Sequence, residues 1–73
     1  MFSNTFTHNS RTFTIIKNQT DLGFDYTLFD DQDKKISKIS TTKEMYYDAL
    51  EFATFDIEQE IINFFVNEVK RYF

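Results

Sequence analysis

Apolar residues alternate with polar ones in short runs up to about residue 40, and beyond it they recur at helical spacing to the last residue. A strand-patterned half followed by a helix-patterned half points to an α+β domain. The expected architecture is a small antiparallel sheet of three or four strands from residues 1–40, followed by two C-terminal helices or one kinked helix from residues 41–73. With no proline, a single glycine and no internal repeat in 73 residues, the sequence reads as a single domain spanning 1–73 without linkers.

The strand-patterned half contains a hairpin signal. In TFTHNSRTFTII a two-residue turn at Asn9 and Ser10 sets Phe6 opposite Phe13, a favourable cross-strand pair. Asn9 tolerates a left-handed backbone and Ser10 does so less readily, which leaves the first seven residues open as either a strand or a loose arm. In GFDYTLFD the alternation puts Phe24, Tyr26 and Leu28 on one face and Asp25, Thr27 and Phe29 on the other. The polar tip DDQD then leads into KKISKIS, whose lysines suit a protected edge strand.

Helix begins after Thr41 or Thr42, where Thr41 and Glu44 have the spacing of a capping box. At about 100° per residue, Met45, Tyr46, Ala49, Leu50, Phe52 and Ala53 form a one-sided stripe, with Tyr47, Asp48 and Glu51 facing away. From Ile57 onward the apolar arc shifts to the opposite side of the same wheel, which predicts a break at Thr54-Phe55-Asp56. Asp56, with Gln59 three residues on, is positioned to cap a second helix. That helix carries Ile57, Ile61, Ile62, Phe64, Phe65, Val66, Val69, Tyr72 and Phe73 over about 200°, interrupted by Glu58 and Glu68. One flank of so wide an arc is expected to face the sheet and the other the first helix, or else part of it stays exposed as a partner or dimer surface.

Composition narrows the chemistry. The absence of cysteine removes disulfides and thiolate zinc sites, leaving ten Phe and four Tyr to build the core. His8 is the only histidine and sits in a turn; no nucleophile elbow, phosphate-cradling glycine loop or paired-histidine spacing occurs, so no catalytic residue, metal ligand or cofactor site is assigned and the expectation is a non-enzyme. The run from Asp30 to Asp33 lacks the spacing and central glycine of a calcium loop and reads as a solvated tip. A net charge of −4 argues against direct nucleic-acid binding, because phosphate tracking needs clustered cations and the lysines of residues 34–43 are followed by six acids. No apolar run is long enough to span a bilayer and no signal peptide opens the chain, so the expected location is the cytoplasm, without membrane contact.

What remains is protein recognition. The acidic outward face of residues 44–60 fits a basic groove, and the surplus rings near the C-terminus supply a dry anchor. The expected partner-binding residues are Tyr47, Asp48, Glu51, Phe55, Glu58, Ile62, Phe65, Val66, Val69 and Phe73. The small size, the lack of cysteine and proline, the acid-rich helix after a small sheet and the Asn, Lys, Ile and Phe usage give the chain a general character that resembles the small inhibitors encoded by bacteriophages and mobile elements, anti-CRISPR proteins among them. That resemblance implies stoichiometric binding, without turnover, to a host protein such as a nuclease or another nucleic-acid-binding component of a bacterial cell. The alternative is a homodimeric structural or accessory subunit that pairs through its C-terminal helix.

Overall fold

The computed structural model describes residues 2–52 and 56–73. Four strands, β1 (Phe2–His8), β2 (Arg11–Gln19), β3 (Gly23–Phe29) and β4 (Lys35–Thr42), are followed by helices α1 (Lys43–Phe52) and α2 (Ile57–Tyr72). The strands form one antiparallel meander in the order β1-β2-β3-β4. The α+β architecture is therefore present, with four strands and two helices.

Each connection follows from local chemistry. Asn9 and Ser10 both take a left-handed backbone, with φ of 51° and 64°, so the first turn is of the primed kind whose twist matches the strands. Ser10 accepts the conformation despite its Cβ, and residues 2–8 are a strand. Phe6 pairs with Phe13, and the two rings stack with centroids 5.6 Å apart. At the second turn the Thr20 hydroxyl accepts a hydrogen bond from the Gly23 amide at 3.0 Å. Gly23 is required there by a close approach: a Cβ would lie 1.9 Å from the Thr41 carbonyl oxygen. The third tip is held by Asp30, whose Oδ1 accepts from the amides of Gln32 and Lys34, both at 2.9 Å. These backbone donors, the Lys34 amide foremost, hold the Asp30 carboxyl below its usual pKa.

Alternation divides the sheet into two unlike faces. Phe13, Ile15, Tyr26 and Leu28 project to one side and are buried with Ile61, Phe65 and Val69 of α2, while Phe6, Phe24, Ile36, Ile39, Ile57 and Ile62 pack around them. Burial of such side chains is worth about 1.5–3 kcal/mol each, so this cluster is the main source of stability. The opposite face carries Thr5, Thr7, Thr12 and Thr14 with Ile16 and Phe29. There Asp25 receives the Ser40 hydroxyl at 2.7 Å and lies 3.6 Å from the Lys38 ammonium. A register shift at Leu28 and Phe29 places a bulge in the β3–β4 pairing.

The helix starts differ in one respect from the expected caps. Thr42, not Thr41, caps α1: its hydroxyl accepts from the Met45 amide at 3.1 Å. Thr41 still belongs to β4 and is buried, its hydroxyl turned toward the Phe24 carbonyl, so the box with Glu44 does not form. Asp56 caps α2 as anticipated, its carboxylate accepting from the amides of Glu58 and Gln59. The Gln59 side chain runs along the helix, its Nε2 donating to Asn63 Oδ1 at 3.0 Å. α1 ends at Phe52 and α2 begins at Ile57; of the break expected at Thr54-Phe55-Asp56, Thr54 and Phe55 lie outside the described residues.

Candidate interaction surface

Helix α1 turns Tyr46 inward and exposes the described side chains beside it. Tyr46 turns inward, its ring 4.7 Å from that of Phe24, and Tyr47 stands edge-on to it at 5.4 Å with 55% of its surface open. Glu44, Asp48 and Glu51 are exposed along the same helix. The outward acidic face with its tyrosine is therefore a real feature of the surface. Met45, placed on the apolar stripe by periodicity, is also 57% exposed. Phe55, expected at the surface, lies outside the described residues.

Helix α2 divides its wide arc. Ile61, Phe65 and Val69 recur every four residues and are buried against the sheet. Phe65 and Val69 are thus corrected from partner-binding to core: with no exposed surface they have nothing to offer another molecule. Ile62 and Val66 are half-buried at the margin. Phe73 is 43% exposed while its other side closes the end of the core, its ring 5.6 Å from Phe13 and beneath the Arg11 guanidinium. Asn9 donates to its carbonyl at 3.1 Å, tying the end of α2 to the first hairpin.

The aromatic surface that α2 does present belongs to residues outside the expected set. Phe64 is 53% and Tyr72 69% exposed, and with Asn67, Glu68 and Arg71 they line a hollow of about 360 Å³. One carboxylate oxygen of Glu68 is buried without a hydrogen-bond partner among the described residues. Leu22, in the turn between β2 and β3, is 81% exposed where its carbonyl receives the Lys43 amide. The signal for Leu22 is legible in the sequence: a leucine inside a tight turn between paired strands has no interior to enter. For Phe64 against Phe65 no such signal exists, since both fall within the arc.

Glu58 is also corrected. It faces inward and organises a polar node between the sheet and both helices. Its Oε1 accepts from the Lys17 ammonium at 2.5 Å, from the Tyr46 hydroxyl at 3.2 Å and from the Tyr26 hydroxyl at 3.3 Å. Lys17 is caged by rings, 4.4 Å from the centroid of Phe24 and 4.6 Å from that of Tyr46. Burial alone lowers the Lys17 pKa, but the hydrogen bonds to Glu58 and Tyr46 outweigh it and the net shift is upward. The Tyr26 phenol is pushed up to about 12, first by burial and then by the Glu58 charge. A carboxylate oxygen committed to three internal donors acts as a structural clamp.

The remaining polar groups have local roles. His8 meets the neighbouring Asn9 amide at 3.1 Å. At the acidic tip Arg11 lies 3.2 Å from Asp31 and 3.7 Å from Asp30. Among the described residues no three His, Cys, Asp or Glu side chains converge as a metal site would need, and no helix is long and apolar enough to cross a membrane. No family model matches the chain, and neither a curated protein nor a solved structure is significantly similar to it.

Proposed function

We propose that this chain is a small non-catalytic protein-binding module that acts by occupying a site on another protein. The observation that carries this reading is the exposure of large rings on the helical layer, Tyr47 on α1 with Phe64 and Tyr72 on α2, in a chain whose core is already filled by other aromatics. Exposed aromatic anchors beside charged residues are the composition of a recognition patch, in which rings supply the binding energy and charge supplies orientation. Glu44, Asp48 and Glu51 on α1 give the patch an acidic flank suited to a basic groove.

The partner class that fits is a host protein that handles nucleic acid, such as a nuclease of a bacterial defence system. In that setting the chain is a stoichiometric inhibitor of phage or mobile-element origin, working in the cytoplasm, and its acids stand where phosphates otherwise sit. The test is capture from a bacterial lysate by the wild type and by the Asp48→Lys/Glu51→Lys variant, with folding of both verified by circular dichroism. The acidic flank predicts loss of the captured band in the variant; an equal yield from both removes that flank from the account.

The second reading, a homodimer through α2, is favoured by Phe64 and Tyr72 lying two turns apart on one helix around Glu68, one oxygen of which has no hydrogen-bond partner among the described residues. Amide exchange as the chain is concentrated separates the two: an α2 dimer protects the helix around Phe64 and Tyr72, and a monomer by light scattering at high concentration speaks against any self-association.

A further inference from the structure

The two edges of the sheet are unlike. The β4 edge carries Lys35 and Lys38 and adjoins a bulge, the devices by which sheets repel unwanted strands. The β1 edge has none of them: its seven residues, FSNTFTH, contain no Lys, Arg, Asp, Glu, Pro or Gly, and they pair with β2 in unbroken register from Phe2 to His8. We propose that β1 pairs antiparallel with β1 of a second copy of this chain, joining two four-stranded sheets into one across a two-fold axis.

The register follows from the hairpin. His8 and Arg11 flank a two-residue turn and so exchange backbone hydrogen bonds with each other, which turns the polar groups of His8, Phe6, Asn4 and Phe2 toward β2. Those of Thr7, Thr5 and Ser3 then point outward, away from the sheet. An antiparallel copy satisfies them when Thr5 faces Thr5 of the partner subunit and Ser3 faces Thr7, with about six new backbone hydrogen bonds. The same register sets hydroxyl side chains opposite one another on the open face, a favourable cross-strand pairing. A second copy fits better than an unrelated strand because the edge is complementary to itself under this rotation, and because its lack of charge leaves nothing to oppose a like edge. A second β4 would instead set lysines against lysines. The pairing uses neither α1 nor the exposed rings of α2, so it stands apart from the reading above.

Thr5 is exposed, which makes it a clean test position. Thr5→Lys and Thr5→Glu each place like charges face to face across the axis, whereas a mixture of the two places opposite charges there. By sedimentation equilibrium in about 0.15 M salt, where the net charge of the copies is screened beyond ~8 Å, the wild type is expected to reach twice its 8.8 kDa mass. Each variant alone is expected to stay monomeric at that concentration, and the equimolar mixture to recover the doubled mass. Amide exchange gives the second readout: the amides of Ser3, Thr5 and Thr7 become protected as the wild type is concentrated. A wild type that stays monomeric to ~1 mM, where even a millimolar pairing is appreciably populated, overturns the proposal. So does a dimer in which those three amides exchange freely, a result that would place the contact on α2 instead.

Discussion

Replacing Glu58 with alanine tests whether the node beneath the helices is a structural clamp. The substitution removes the acceptor shared by Lys17, Tyr26 and Tyr46. An exposed ion pair is worth about 0–1 kcal/mol, and breaking a fully buried one by removing a single partner costs about 3–5 kcal/mol. Here the two side chains retain 17% and 21% of their surface, and Lys17 keeps the faces of Phe24 and Tyr46, so an intermediate loss of about 2–3 kcal/mol is expected. In a domain of this size, with ~3–5 kcal/mol in total, that is about half the stability. The assay is urea unfolding of the wild type, Glu58→Ala, Lys17→Met and the double variant. Methionine fits the ring cage without a charge to strand, so the double variant is expected to be more stable than the sum of the singles implies, by at least about 1 kcal/mol. A Glu58→Ala loss below about 0.5 kcal/mol with no coupling to Lys17 would refute the clamp and leave an ordinary solvated pair.

Phe65→Ala, at a fully buried ring, is expected to cost about 3–5 kcal/mol, as much as the whole domain has, and so to abolish the cooperative urea transition, whereas Phe64→Ala, at a half-exposed neighbour, is expected to cost under about 1 kcal/mol by urea midpoint. Gly23→Ala drives a Cβ into the Thr41 and Thr42 backbone and is expected to abolish the cooperative unfolding transition or the soluble yield. From neutral pH to about pH 10 stability is expected to be constant, and to fall as the pH rises toward 12, because the folded state raises Tyr26 from 10.0 to about 12 and shifts Lys17 upward too. For each group the stabilised form is the protonated one, so the contribution is present below the unfolded pKa and lost through the folded pKa; Tyr26→Phe should flatten the alkaline limb in thermal melts at stepped pH.

The parts of the fold that are legible in the sequence are those set by local rules. Asn9 and Ser10 fix the first hairpin through their place between two matching tripeptides, and the shift of the apolar arc together with the cap at Asp56 separates the two helices. The candidate surface is less legible because exposure depends on what tertiary packing happens to cover. The arc of α2 contains both Phe64 and Phe65, and only the position of the sheet decides that Phe65 enters. Glu58 carries a usable signal: an acid inside an apolar arc, with Lys17 in phase with Phe13 and Ile15 on a strand, marks two charges bound for the same interface. Gly23 carries none, since its need for a missing Cβ arises from strand β4, eighteen residues away at Thr41.

The most direct measurement on the binding account is a hydrogen-exchange footprint of this chain in complex with the protein it captures. Backbone protection is expected to rise in residues 43–52 and in the second half of α2, around Phe64 and Tyr72, with Tyr47 at the centre of the first segment. Protection confined to the open face of the sheet around Ile16 and Phe29, with both helices exchanging as in the free chain, would contradict it.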